Sequence, residues 1–170
     1  MGEPDKPAFR FYPRAYDDGV LKREGGPCEI CRREGTWIYQ GVVYAVRDEM
    51  QVCARCIAEG RLLAFLDDPH FQLHDIEIEG VGPDLRDELL RRTPGVECFN
   101  PFNWPALRGM PLAFAGHGDG LGLWEVQGAR MAMEAAWRER MGSALDGASP
   151  YLLVFRELNE GAWRAEVDLD

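Results

Sequence analysis

Two Cys-x-x-Cys pairs, Cys28/Cys31 and Cys53/Cys56, stand 21 residues apart in a chain of 170. A Cys-x-x-Cys turn aims two thiolates at one point, and two such turns supply the four soft ligands of a tetrahedral zinc site. The separation is slightly longer than the usual ~15–20 residues, a gap that a β-hairpin spans. The expectation is one structural zinc ion on these four residues, with the local fold built around it. A redox dithiol would account for one pair but not for the second at this spacing. Iron is the other thiolate-bound metal that the pattern admits.

Charge bears on what such a module meets. The net charge is −10, unevenly spread: residues 1–56 hold nine basic and nine acidic residues, and residues 57–170 hold ten and twenty. Between 67 and 88 stand Asp67, Asp68, Asp75, Glu77, Glu79, Asp84, Asp87 and Glu88, against Arg86 alone. Such a run is either a solvated face or a docking surface for a basic partner, whose encounter complementary charge would speed. Nucleic acid needs a basic footprint, and the module has a near-balanced one beside an acidic body. No apolar run reaches the ~18 residues of a membrane span, so membrane insertion is not expected. The first residues lack the basic and then apolar regions of a secretory signal. Together with cysteines in metal spacing, this places the chain in a reducing, cytoplasmic compartment.

The pattern along the chain describes an α+β fold. Its parts are a zinc-ribbon-like four-cysteine hairpin module with an N-terminal strand over residues 1–66, and an acidic body of helix and β-hairpin over 67–170, either as two domains or as one continuous domain. The Phe9–Pro13 stretch reads as an extended strand packed under the module. Thr36–Tyr39 and Val42–Val46 are β-branched and aromatic around Gln40-Gly41, which signals a hairpin between the cysteine pairs. The second pair leads into a helix over Ile57–Leu66, with Leu62, Phe65 and Leu66 toward the core and Cys56 near its N-terminus. Asp67-Asp68-Pro69 breaks it. Pro83 and Asp84 open a second helix that ends at Thr93-Pro94-Gly95. Pro94 stops it, Gly95 adopts a conformation a side chain would hinder, and Arg92 meets a nearby carboxylate. Residues 96–120 read as irregular. Val126, Ala129, Met133, Ala136 and Trp137 form a stripe at helical spacing, closed by Gly142. Tyr151–Leu158 and Ala162–Leu169 read as a final hairpin.

No other constellation competes with the cysteines. His70 and His74 are four apart, but Pro69 and the alternation with Phe71 and Leu73 favour an extended segment bearing exposed loop histidines. His117 sits in Gly116-His117-Gly118-Asp119-Gly120, which lacks the strand–loop–helix context of a phosphate cradle and reads as a flexible loop. Ser143 and Ser149 are the only serines, and neither occupies a nucleophile elbow. The plentiful carboxylates show no pairing that marks acid–base work. A four-cysteine zinc has no open coordination position. Cys98 has no thiol neighbour in sequence and reads as an inert, buried residue. No enzymatic activity is expected.

These landmarks, read together, resemble the CbrC family, small bacterial proteins named for tolerance to colicin E2. The matching residues are Phe9-x-Phe11-x-Pro13, Cys28/Cys31, Tyr39, Tyr44, Cys53-x-x-Cys56-Ile57-Ala58-x-Gly60 and Phe65. They continue with Arg92-Thr93-Pro94-Gly95, Trp104, Gly109, Ala113-Phe114-x-Gly116, and Tyr151-Leu152 with Asp168-x-Asp170. Where that family commonly carries further cysteines after the tryptophan and in the last hairpin, this chain has Leu107, Arg108, Leu112 and Arg156-Glu157-Leu158-Asn159. The resemblance therefore implies one metal here and apolar packing where a second would sit. It also implies a role in tolerating an antibacterial toxin, through binding a protein partner such as a basic toxin. The competing expectation is a zinc-ribbon regulatory or stress factor that contacts nucleic acid or the transcription machinery.

Overall fold

The computed structural model describes residues 5–46, 50–120, 122–159 and 161–169. In chain order the elements are β1 (Leu21–Lys22), β2 (Ile38–Tyr39), α1 (Ala54–Ala58), α2 (Arg61–Leu66), β3 (Ile76–Glu77) and α3 (Pro83–Arg92). There follow β4 (Phe102–Asn103), β5 (Ala106–Leu107), β6 (Met110–Pro111), β7 (Ala113–His117), α4 (Gln127–Met141), β8 (Leu152–Arg156) and β9 (Trp163–Val167). The fold is α+β and carries a cysteine module, as the sequence implies. Two compact units form, one from residues 1–75 with 82–97 and one from 76–81 with 98–170. These units follow packing, whereas the sequence boundary at 66/67 follows the Asp67-Asp68-Pro69 break.

The first unit has little regular structure. β1 pairs antiparallel with β2, Leu21 opposite Tyr39. The expected hairpin between the cysteine pairs does not form. Ile38 also bridges to Cys53, and Val42–Val46 keeps only the bridge from Tyr44 to Gln72. Strand-forming residues are present, but distant segments supply their partners. Phe9–Pro13 is likewise not a strand. It coils through successive turns, with Tyr12 N donating to Phe9 O and Ala15 N to Tyr12 O, both at 3.2 Å. Phe9, Phe11 and Tyr12 are nonetheless buried. Arg10 holds both carboxylate oxygens of Glu88 on α3, at 2.6 and 2.5 Å.

The helix expected over Ile57–Leu66 is two short helices. Gly60 between them takes a left-handed φ of 67°, a conformation glycine adopts without a Cβ clash. The break turns Phe65 outward, against expectation, while Leu62 stays fully buried. α3 starts with Pro83 at its first turn and ends at Thr93, which is extended because the following proline disfavours helical backbone. Gly95 is indeed a position that excludes side chains, through crowding rather than through φ. A Cβ there would lie 2.0 Å from the Leu73 carbonyl oxygen and 2.5 Å from the Tyr39 hydroxyl. Arg92 pairs with Asp87 at 3.2 Å.

The second unit is layered. β7, β8 and β9 form an antiparallel sheet in that order, and the β8–β9 hairpin lies where the sequence places it. β7 corrects the reading of 96–120 as irregular. Its register shifts between Phe114 and Gly116, a bulge that its glycine accommodates. α4 packs on the sheet through Ala129 and Met133, with Ala136 and Trp137 at the margin. This is the stripe its sequence period predicts, except that Val126 stands before the helix in extended backbone and is exposed. On the opposite face Phe155 gathers Trp104, Phe102 and Phe114, ring centroids 5.0 to 5.8 Å away. Asp168, buried, accepts the backbone N–H groups of Phe99 (2.6 Å) and Asn100 (2.9 Å), which fastens the 98–100 segment. No helix among the described residues is long and apolar enough to cross a membrane.

Candidate metal centre

The four cysteines come together in the first unit, and each pair reaches the centre by a different local device. After Pro27 the chain makes a tight turn in which Arg32 N donates to Cys28 O (2.8 Å) and Cys28 N to Arg33 O (2.9 Å). Arg32 takes φ 61° to close it. Cys53 caps α1 and Cys56 lies within it, so one helical turn brings their side chains to one side. β2 anchors this second pair. Ala54 N donates to Trp37 O (2.8 Å) and Tyr39 N to Val52 O (2.9 Å). The two turns are tied to each other by Glu29 N donating to Gln51 O (2.8 Å).

The four sulfur atoms all lie within 4.8 Å of one another, and all but Cys31 are buried. Cys28 and Cys56 sulfurs are 3.8 Å apart, and those of Cys31 and Cys53 3.7 Å. A disulfide needs about 2.05 Å, so these are free thiols. Sulfurs held about 2.3 Å from a central ion at tetrahedral corners are about 3.8 Å apart, so the cluster could hold a metal ion.

Proton affinities describe the same arrangement. Burial pushes the Cys28 thiol up, but backbone N–H groups of Cys31, Cys53 and Ile30 together outweigh it and bring its pKa down to about 7. Cys53 N itself lies 3.3 Å from the Cys28 sulfur. Burial, and then the Cys28 charge, raise Cys53 to about 11. Burial and the charge on Cys53 raise Cys56 still further. The first thiolate forms readily, and the others meet a growing like charge that a cation would relieve.

An aromatic shelf lies close by. Tyr16 meets Trp37 edge-on at 5.0 Å, and its phenol is raised by burial and then by the charge of Cys53. Lys6 sits over both rings and Arg23 over Trp37. The signal available in sequence was Tyr16 and Trp37 themselves, separated by too many residues for pattern reading to join them.

The remaining candidates do not converge on a site. His74 is fully buried rather than exposed. Desolvation lowers its pKa to about 4, opposed by the carbonyls of Thr93 and Leu89, and its Nε2 lies 3.1 Å from Thr93 O. His70 stays at the surface, so the two histidines share no site. The glycine-rich segment around His117 is a packed turn rather than a flexible loop. Gly118 N donates to Leu152 O (2.8 Å), and a Cβ on Gly118 would meet Ser149 O at 2.6 Å. Ser149 is buried, its Oγ accepting from Tyr151 N, while Ser143 is exposed. Cys98 is half-buried. Where the resemblance implies a lost second metal site, Leu112 is buried and Arg108 pairs with Glu157 at 2.6 Å.

Fold and centre together define an α+β protein with a tetracysteine module that could hold a metal ion. The chain belongs to UPF0167, described as an uncharacterised protein family, whose model matches residues 6–149. It is similar to UPF0167 protein PA1536 of Pseudomonas aeruginosa, 24% identical over 178 residues and 98% of either chain. It is also similar to UPF0167 proteins Mb2317 of Mycobacterium bovis and MT2352 of Mycobacterium tuberculosis. Each is 28% identical over 137 residues, covering 80% of this chain and 72% of the relative. No solved structure matches it.

Proposed function

We propose that the protein is a non-enzymatic cytoplasmic binding protein whose first unit is held together by one structural zinc ion on Cys28, Cys31, Cys53 and Cys56. The observation that carries this reading is the closed cluster itself. Four thiols within 4.8 Å of one another fill a tetrahedral shell and leave no position for a substrate or an activated water. Zinc is preferred to iron because the role inferred is structural and needs no electron transfer. Elemental analysis of purified chain is expected to return one zinc per molecule. A stoichiometric iron content, or no tightly held metal, would overturn the assignment.

Action through a protein partner is the second part of the proposal. The resemblance to the CbrC family supplies the finer form of it, tolerance of an antibacterial toxin through contact with a basic protein. Nuclease toxins present basic substrate-binding faces, and an acidic protein is suited to cover one. Of the aromatics that could stack bases Tyr44 is exposed, but nucleic acid is disfavoured as the partner because Tyr39 is buried, with its hydroxyl engaged by Gly95, and Trp37 is packed on Tyr16. Neither is free to stack a base. Asp87 and Glu88 are engaged by arginines, which leaves Asp67, Glu77, Glu79 and Asp84 as the exposed acids of the 67–88 stretch. Affinity capture followed by mass spectrometry identifies the partner. Its association rate is expected to fall with added salt and on reversal of Glu77, Glu79 and Asp84 to Lys, at unchanged zinc content. A captured partner indifferent to both changes would remove the acidic surface from the reading. Recovery of nucleic acid alone would overturn the reading itself.

A further inference from the structure

Strand β9 is the last in the order β7-β8-β9, so among the described residues one of its edges meets no other strand. The register fixes which backbone groups point to that edge. Leu153 stands opposite Glu166 and Phe155 opposite Arg164. Past the strand ends, Glu157 N donates to Ala162 O and Asp168 N to Tyr151 O, both at 2.9 Å. Bonded and non-bonded pairs alternate along an antiparallel ladder. Residues 162, 164, 166 and 168 therefore direct their N–H and C=O groups to β8, and Trp163, Ala165 and Val167 direct theirs outward. The Trp163 carbonyl accepts from the Arg164 guanidinium at 3.0 Å. The outward groups of Ala165 and Val167 have no partner among the described residues.

An open groove of about 800 Å³ touches every residue from Trp163 to Leu169. Successive strand side chains point to opposite faces, so a cavity that reaches all of them lies against the strand's edge. Ala132, Ala136 and Glu139 of α4 also line it, as do Asn100 to Phe102. The small residues leave room beside the strand. Glu139 and Glu166 bring carboxylates to the groove, and no described cation forms an ion pair with either, although Arg140 and Arg164 also border it. Burial, and then the charge of Glu139, raise the Glu166 carboxyl above its ordinary value. A cation placed beside them would remove the like-charge repulsion and offset the cost of burial.

We propose that this groove receives an extended segment of a partner polypeptide, added to β9 as a fourth strand with a basic side chain set against Glu139 and Glu166. Main-chain pairing with Ala165 and Val167 would supply binding, and the carboxylates would select the sequence. The inference rests on the reading that the protein works by binding another protein, and it names the surface and the kind of segment.

The test uses the full chain, isotopically labelled, and a capped heptapeptide Thr-Val-Thr-Lys-Thr-Val-Thr as probe. Amide shifts are expected to centre on Ala165 and Val167, with slowed hydrogen exchange at both. Ala165→Pro removes an outward N–H and leaves every β8 ladder bond in place, and it is expected to weaken binding about tenfold. Should that variant fail to fold, Glu139→Lys and Glu166→Lys carry the test through a several-fold loss of affinity for the Lys-centred peptide, with no such loss for a Gln-centred one. Equal binding of a peptide N-methylated at alternate amides, or shifts that map elsewhere, would overturn the proposal. So would a dimer in sedimentation that Ala165→Pro dissolves, because a second copy would then occupy the edge. If a native partner is captured equally well by Ala165→Pro and Glu166→Lys, the groove assignment falls and the protein-binding reading stands. If the peptide binds as described and no native protein is captured, the groove stands and that reading falls.

Discussion

The two units of this chain reach order by different routes. The second has a three-stranded sheet with a 15-residue helix on one face and an aromatic cluster around Phe155 on the other. Among its described residues the first has one two-residue strand pair, helices of five, six and ten residues, and a cluster of four thiols. Short helices and isolated strand pairs are marginal in water by themselves. The first unit does bury apolar side chains, among them Phe11, Leu21, Ile57, Leu62, Phe71 and Leu89, but they come from short segments that no extended sheet aligns. The four cysteines join two of those segments, and ligand bonds to a metal would tie them further.

Substitution at the centre should separate the two most sharply. Cys53→Ser is expected to abolish tight metal binding and unfold the first unit, since apparent zinc affinities of such sites are about 10–16 kcal/mol. Amide spectra should then lose dispersion for the first unit while the β7–β9 resonances persist. The reciprocal variant, Phe155→Ala, is expected to destabilise the second unit by about 3–5 kcal/mol through the cavity it leaves. Denaturant titration with unit-specific probes checks this, and zinc content should remain unchanged.

Gly95→Ala asks whether the first unit also depends on close packing outside the metal. The added methyl must displace the Leu73 carbonyl, so a loss of about 3 kcal/mol is expected, at the upper end for overpacking. A neutral result would show that this segment yields easily. Acid supplies a graded version of the same question. His74 titrates near 4 in the folded chain and near 6.5 when unfolded, so between these values the unfolded chain binds more protons. Its contribution is complete above pH 6.5 and is lost as pH falls toward 4, on the order of 3 kcal/mol in all. His74→Gln should flatten that part of the stability–pH curve. Arg10→Ala, which removes a partly exposed ion pair, is expected to change stability by less than about 1 kcal/mol.

The parts legible in sequence were those fixed by local spacing. The cysteine pairs, the α4 stripe from Ala129 to Trp137, and the final hairpin around Asn159 all declare themselves within one short window. What escaped depends on partners far along the chain. Ile38 has the composition of a hairpin strand, but Lys22 and Cys53 are its neighbours. His74 alternates like a surface residue and is buried because the end of α3 covers it. Gly60 permits a break, and in the fold it takes a left-handed conformation while Leu62 beyond it is fully buried. β7 was hidden by a glycine whose bulge the β8 register accommodates.

Tyr39 has a consequence for the order in which the chain folds. Its hydroxyl accepts from Gly95 N and donates to Leu73 O, so it joins segments 56 residues apart in sequence. The metal-ligand loop from Cys28 to Cys56 spans 28, half that distance. Closing a flexible loop grows costlier with length, by about 0.6 kcal/mol per doubling, and non-local contacts are the slow ones to find. With the proposed zinc on the four cysteines, its capture would precede docking of the Gly95 segment and fix Tyr39 beside the partners it has yet to meet. On that proposal the rate at which the first unit folds should follow the free zinc concentration, and the tyrosine hydroxyl should be among the last groups to find its place.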